Sequence, residues 1–223
     1  RAENETAGMV KSFADLKIGP TFFSDFLAGQ IFFVILITIL AGAGLIAKDR
    51  KQKAFSIYFS RPVSFTDYIG GKFLVVGFYI SLTTLLPALL LFTLKALISD
   101  DLIFIRTYYW IPFSIILFSG LAIAVAGGLM LALSSSARRS GPAAVIFVAI
   151  LMLPDILSRI LRQIPEVGIF SIQSSLHQAA AALFRAPSPH DFPVFWGLAF
   201  LGAVISVSFL VMKKKIRPSE VIK

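Results

Sequence analysis

Long apolar runs separated by short polar segments dominate the chain. Four runs, 26–47, 73–94, 110–133 and 192–212, contain no charged residue. Each reaches the roughly 20 residues that a helix needs to cross a bilayer core of about 30 Å. A fifth run, 142–157, is shorter and holds Pro154 and Asp155. The pattern predicts an all-α polytopic membrane protein with five transmembrane helices in a single domain.

Composition agrees with this pattern. Hydrophobic residues make up 57% of the chain and charged residues only 15%, and the mean hydropathy is +0.85. The formal net charge of +9 would suit nucleic acid, but the basic residues flank apolar runs and form no stripe interleaved with exposed aromatics. We therefore expect the lipid bilayer as a partner, and no nucleic acid.

The charges also predict an orientation. Thirteen of the 21 basic residues, but only three of the 12 acidic ones, lie in segments 48–72, 134–141 and 213–223. Basic residues accumulate on the cytoplasmic side of a membrane, which places these three segments inside and segments 1–25 and 158–191 outside. Segments 134–141 and 213–223 lie on the same side of the membrane only if the run 142–157 also crosses it. The sequence predicts a multi-pass protein of the plasma membrane, such as a bacterial inner membrane.

The sequence holds little that could perform chemistry. It has no cysteine, and its two histidines, His177 and His190, are isolated. No metalloprotease, nucleophile-elbow or phosphate-binding-loop pattern occurs. The four clear runs hold no ionisable residue, whereas ion-coupled carriers usually carry one at membrane depth. We expect no enzyme activity, no catalytic residue and no bound metal or cofactor in this chain.

The segment 48–72 is more elaborate than a connection between two spans requires. Phe55, Tyr58 and Phe59 recur at helical spacing, with lysines and serines on the other faces. Pro62 ends this helix, and Ser64 with Asp67 has the spacing of a helix-capping signal. The segment is predicted to form a short amphipathic helix, a break and a second helix at the cytoplasmic surface.

Two functions fit such a segment. It could rest among lipid headgroups, as in a non-transporting membrane scaffold with a lipid-binding interfacial helix. Alternatively, it could dock on a cytoplasmic partner, because aromatic and arginine side chains are favoured at protein interfaces. The residues alone leave both interpretations open.

The stretch AKDRKQKAFSIYFSRPVSFTDYIGGK, residues 47–72, resembles the permease subunits of type 2 ABC transporters. The resembling features are an acid–arginine pair at the end of a span, Asp49-Arg50, a small-polar and proline element, residues 60–64, and a Gly-Lys pair, Gly71-Lys72. The resemblance implies that the segment is a coupling helix that fits a cleft on an ATP-binding subunit. The residues it implies at that interface are Asp49, Arg50, Lys51, Lys53, Phe55, Tyr58, Phe59, Arg61 and Pro62, and residues 134–139 could add a smaller contact.

The same resemblance implies the partners and the transport class. The ATP-binding cassette subunit would bind ATP and magnesium, and a second permease chain, identical or different, would complete the path for export. Such permeases generally have six spans. We therefore expect a span to precede Arg1, with residues 1–25 as the external loop after it.

Two further patterns concern the packing of the spans. Segment 158–191 resembles the extracellular re-entrant hairpin of these permeases, although an ordinary loop with two surface helices would also fit. Gly120, Ala124 and Gly128 have the small-xxx-small spacing that lets helices approach closely, which favours helix packing over a substrate path. Pro87 is expected to kink the second span.

Overall fold

The computed structural model describes residues 19–51, 65–98, 103–137, 139–160, 165–190 and 192–216. This part of the chain is helical and contains no strand. Five helices are long and apolar enough to cross a membrane, which confirms the predicted fold class. Numbered from span 1 to span 5 in chain order, they are Pro20–Asp49, Thr66–Ile98, Phe104–Ser136, Ser140–Ser158 and Val194–Lys215.

Shorter helices make up these spans. The described α-helices are α1 (Pro20–Gly29), α2 (Ile31–Gly42), α3 (Ala47–Lys51), α4 (Phe65–Thr83), α5 (Leu85–Ile98), α6 (Ile103–Tyr108), α7 (Ile111–Ala122), α8 (Gly128–Ser136), α9 (Ser140–Ile160), α10 (Ile172–Leu183) and α11 (Val194–Ile216). A π-helical segment, Ile123–Gly127, joins α7 to α8, and a 3₁₀ helix, Pro165–Phe170, precedes α10.

The spans extend beyond the apolar runs from which they were predicted. Span 1 begins at Pro20 and includes Asp25, and α9 continues to Ile160 through Pro154. Span 2 is interrupted at Thr84. This interruption agrees with the kink predicted at Pro87, because proline has no N–H to donate to the carbonyl of Thr83 four residues earlier. The helix that begins at Phe65 runs directly into span 2 through Gly70 and Gly71.

Span 3 lies at the centre of the bundle. In the most apolar 18-residue window of span 3, 61% is buried inside the protein, compared with 17% in the corresponding windows of spans 4 and 5. Its buried residues Ile111, Ile115, Phe118 and Ala122 follow α-helical spacing, and in the π segment three consecutive residues, 125–127, are buried. A π-helical turn contains one residue more than an α-helical turn. The π segment therefore turns the residues that follow it relative to their direction in a regular α-helix.

Two clusters of buried side chains stabilise the bundle. One joins spans 1 to 5 around Ile46, Val76, Met130 and Phe147. The other is rich in aromatic residues and includes Phe23, Phe92, Phe118 and Phe184. The first cluster reaches the end of the bundle that carries Lys48, Lys72 and Arg139, called here the basic end. The aromatic cluster lies toward the opposite end.

The chain between spans 4 and 5 turns back into the bundle. Ser171, the N-cap of α10, accepts a hydrogen bond from the Ser174 amide at 3.2 Å and donates one to Asp155 Oδ1 at 3.4 Å. At the other end of α10, the Leu183 carbonyl accepts a hydrogen bond from Ser114 Oγ at 2.9 Å. Most of α10 is buried. The helical hairpin predicted before the last span is thus present and enters the bundle, and its extracellular side stays a prediction.

Spans 1 and 3 pack closely at Gly42. A Cβ atom at this position would lie 2.8 Å from Cγ of Met130, which is fully buried. Overpacking of this kind costs about 1–3 kcal/mol, so we expect a Gly42→Ala variant to lose that much stability against thermal unfolding in mild detergent. Gly202→Ala, in α11, is the control because its Cβ would meet no atom within 4 Å. Equal melting temperatures for the two variants would contradict the close approach.

Candidate functional site: a junction at the basic end

Four residues at the basic end connect spans 1, 2 and 3. Asp49 lies in α3 at the end of span 1, Tyr68 and Lys72 lie at the start of span 2, and Ser134 lies near the end of span 3. Tyr68 and Lys72 are four positions apart in one helix and therefore lie on the same face. We call these four residues the junction.

Asp49 is the centre of the polar contacts in the junction. Its Oδ2 atom accepts a hydrogen bond from the Tyr68 hydroxyl at 2.7 Å and lies 2.7 Å from Lys72 Nζ. Lys72 Nζ also lies 5.5 Å from the centre of the Tyr68 ring. The side chains of Lys72 and Asp49 are only 21% and 14% exposed. Because charge-assisted hydrogen bonds are strong when partly screened from water, this contact holds the two ends of segment 48–72 together.

Ser134 fixes the end of span 1 to span 3. Its hydroxyl is completely buried, accepts hydrogen bonds from the amides of Ile46 and Ala47 at 3.1 Å each, and donates one to the Ala43 carbonyl at 3.0 Å. These backbone groups lie where the chain turns between α2 and α3. Since a turn leaves amides without helical partners, the serine hydroxyl satisfies groups that would otherwise be buried unpaired.

A cleft beside the junction separates span 1 from the start of span 4. It has a volume of about 430 Å³, its apolar wall includes Ile39, Leu40 and Ala144, and Lys48, Asp49 and Lys72 also line it. The contacts of the junction therefore unite spans 1, 2 and 3 at the basic end, while this space lies between span 1 and span 4.

The junction is suited to mechanical coupling. It combines an ion pair with the hydroxyls of Tyr68 and Ser134, and it presents no nucleophile paired with a base. Among the described residues, no group of three or more histidine, cysteine, aspartate or glutamate side chains could hold a metal ion. The arrangement connects the ends of segment 48–72 to spans 1, 2 and 3.

The structure covers only part of the predicted interface. Asp49 is at the junction, and Arg50 and Lys51 continue α3, with their side chains outside what the structure describes. The other residues of the predicted interface lie outside the described residues, namely Lys53, Phe55, Tyr58, Phe59, Arg61 and Pro62. Their contact with a partner stays a prediction.

Sequence reasoning did not identify Tyr68 and Ser134. Tyr68 sits four positions before Lys72, and that spacing was the available signal for a shared face. Ser134 opens a run of three serines, 134–136, and nothing in the run distinguishes the one that reaches span 1.

The predicted small-residue stripe lies on more than one face of span 3. Gly120 is exposed, Ala124 is half-buried and Gly128 is buried. A Cβ atom at Gly120 would meet no atom within 4 Å, and one at Gly128 would lie 3.9 Å from Ser208 Cβ. The π segment between Gly120 and Gly128 rotates the stripe, so only its C-terminal part faces a helix of this chain. Packing of Gly120 against another chain stays a prediction.

The fold and the junction define a polytopic helical membrane protein whose spans are joined at one end by polar contacts. The family model described as ABC-2 family transporter protein matches residues 16–186, more than half of the chain. The chain therefore belongs to the ABC-2 family of transporter proteins. A search of curated proteins finds no match to it. The protein is a multi-pass membrane permease of an ABC transporter, a class whose members are generally paired with an ATPase subunit.

Proposed function

We propose that the chain couples ATP hydrolysis on a separate ATP-binding subunit to export of a substrate through the membrane. Segment 48–72 is the contact with that subunit, and the junction transmits its movement into the spans. The observation that carries this proposal is the contact of Asp49 with both Lys72 and Tyr68 at 2.7 Å, because it closes the segment into a loop fixed at both ends.

The proposed coupling requires a rigid contact. A cytoplasmic ATPase moves membrane helices only through a contact whose displacement is carried into them, and a segment held at one end alone would bend instead. Asp49 joins the segment's first end to span 2, and Ser134 joins the end of span 1 to span 3. Contiguous hydrogen bonds and packed helices are the means by which such coupling travels.

The proposal includes the assembly. Two permease chains, identical or different, form the transport path, and two ATP-binding subunits bind the nucleotide and magnesium. The side chains of Phe55, Tyr58 and Phe59 fill a pocket on the ATP-binding subunit, and Arg50, Lys51, Lys53 and Arg61 pair with its acidic residues. The excess of basic residues at this end supports a cytoplasmic position for it, in a protein of the plasma membrane.

A triple Phe55→Ala, Tyr58→Ala and Phe59→Ala variant tests the contact. Buried aromatic anchors carry much of the binding energy of an interface, so we expect association with the ATP-binding subunit to weaken at least tenfold. Co-purification in mild detergent measures the association. The control is Phe32→Ala with Phe33→Ala, because these two exposed side chains lie on a membrane span.

The same variant distinguishes the proposal from a scaffold with a lipid-binding helix. Weaker binding to anionic liposomes, with association to the ATP-binding subunit unchanged, would favour the scaffold and contradict the proposal. Unchanged ATP turnover in the complex after deletion of residues 51–60 would contradict it as well.

A further inference from the structure

An apolar groove lies between span 4 and span 5. Both spans pack against α8, the second half of span 3, whereas they make few contacts with each other. The space between them has a volume of about 660 Å³. Its walls extend from Val145 to Pro154 on span 4 and from Phe200 to Ser208 on span 5. Of the described residues that line it, only Ser208 is polar.

The groove faces the lipid of the bilayer. Its lining belongs mainly to membrane spans, and the rim residues Val145, Leu153 and Val207 are more than half exposed. Water does not fill a space with apolar walls. An empty groove would deprive its lining atoms of dispersion contacts on one side. An apolar group from the surrounding membrane therefore fills the groove.

The dimensions of the groove suit an alkyl chain better than a helix. Its walls cover nine or ten residues of helix, about 12–14 Å at 1.5 Å per residue. The average cross-section of the groove is therefore roughly 50 Å². A helix with its side chains is about 10–12 Å across and needs roughly 80–110 Å². A span of a second copy is too wide to enter, and an extended alkyl chain is narrow enough.

The hairpin bounds one end of the groove. Phe170, which precedes α10, lines the groove and lies edge-on to Phe200, with ring centres 6.0 Å apart. Pro154 and Ile172 line the same end. An alkyl chain in the groove therefore ends at the hairpin, and the head group that carries it lies toward the basic end.

Basic side chains lie where the two walls reach the basic end. Arg139 immediately precedes α9, and Lys213, Lys214 and Lys215 lie in the last turn of α11. All four side chains are exposed and make no ion pair with a described residue. Arg139 and Lys213 lie about 7–9 Å along their helices from the nearest residues of the groove. This end of the groove is suited to a negatively charged head group.

We propose that the groove binds a membrane phospholipid with a net negative head group. The acyl chain lies along spans 4 and 5, and Arg139 and Lys213 bind the phosphate. Apolar contacts alone do not favour the groove over the surrounding lipid, because lipid tails are as apolar as its walls. The basic residues supply the selectivity, since each lysine or arginine near the membrane surface attracts anionic lipid. The site includes no residue of segment 48–72 or of the junction, so it does not depend on the proposed coupling function.

Native mass spectrometry of the full chain tests the proposal. Protein in mild detergent is mixed with phosphatidylglycerol, or with phosphatidylcholine that has the same acyl chains, and the bound lipid is counted. Phosphatidylglycerol should bind once per chain, and phosphatidylcholine about tenfold more weakly. Ala203→Phe places a ring in the groove and should weaken phosphatidylglycerol binding roughly tenfold. Ala199→Phe is the matched control, because it adds the same ring to an exposed alanine of α11 outside the groove.

A double Arg139→Gln and Lys213→Gln variant tests the contact with the head group. It should bind phosphatidylglycerol roughly tenfold more weakly and phosphatidylcholine unchanged, because only the charge is removed. Equal binding of the two lipids by the unchanged chain overturns the proposal. Equal phosphatidylglycerol binding by Ala203→Phe and Ala199→Phe overturns it as well. A dimer that Ala203→Phe separates would show that the groove is an interface between copies and would also contradict it.

Photo-crosslinking gives a second readout that requires no variant. The probe is phosphatidylglycerol with a diazirine in its acyl chain, added to the unchanged protein in proteoliposomes, and the labelled peptides are identified by mass spectrometry. Labelling of 145–154 and 200–208 that excess phosphatidylglycerol suppresses supports the site. Any other pattern of labelling overturns it. If a variant does not elute as a folded protein, this pattern decides.

Discussion

An Asp49→Asn variant should lose most ATP-driven export. The substitution retains the shape of the side chain and removes the charge that Lys72 contacts at 2.7 Å. A hydrogen bond to a charged group contributes about 1.5–3 kcal/mol, and every 1.4 kcal/mol corresponds to roughly tenfold. We therefore expect export per ATP hydrolysed, measured in proteoliposomes, to fall by roughly tenfold to a hundredfold.

Two further variants make this prediction specific. Lys48→Gln removes a neighbouring charge that is exposed and makes no ion pair in the described part of the chain. Export per ATP hydrolysed should therefore stay unchanged in this variant. The double exchange Asp49→Lys with Lys72→Asp reverses the ion pair and should recover part of the export that either single change abolishes. Full export by Asp49→Asn would show that the two ends of segment 48–72 need no connection.

A Ser134→Ala variant should be the most destabilising single-atom deletion at the junction. It leaves the buried amides of Ile46 and Ala47 without the acceptor that they share at 3.1 Å. An orphaned buried donor costs about 1–3 kcal/mol, and the two amides share one acceptor, so we expect a loss of about 2–4 kcal/mol in the free energy of unfolding. Denaturant titration in detergent, followed by tryptophan fluorescence, measures the loss.

Ser119→Ala is the matched control for this change. Ser119 is 2% exposed, and its hydroxyl has no hydrogen-bond partner in the described part of the chain. The same deletion of an oxygen atom there should leave stability unchanged within about 0.5 kcal/mol. If the two serine variants lost equal stability, the buried environment rather than the contact with span 1 would explain the effect.

The membrane architecture was predictable because it depends on hydropathy. Each apolar run became a span, and Pro87 predicted the interruption at Thr84 because a missing N–H acts locally. The ends of the spans were less predictable. A helix can continue past its last apolar residue where its polar side chains reach water. The apolar runs therefore predicted the apolar part of each span and not the ends of the helices.

The junction was only partly predictable. The charge pattern and the family resemblance identified Asp49 and Lys72, but their contact depends on how spans 1 and 2 pack. The π segment left no signal in the sequence. Residues 111–133 are apolar on nearly every face, so periodicity cannot reveal one additional residue in a turn. The prediction that Gly120, Ala124 and Gly128 share one face assumed a regular α-helix. Because the π segment lies between Gly120 and Gly128, the three residues do not share one face.

The additional residue in Ile123–Gly127 sets the direction in which Ser134 points. In a regular α-helix, each residue turns the chain by about 100° and advances it by about 1.5 Å. Without the wider turn, everything after Ala122 would be rotated by about that angle relative to the N-terminal half of the span. The hydroxyl would then face away from the bend between α2 and α3. The irregular turn in the middle of span 3 thus aligns the two halves of the span with different neighbours.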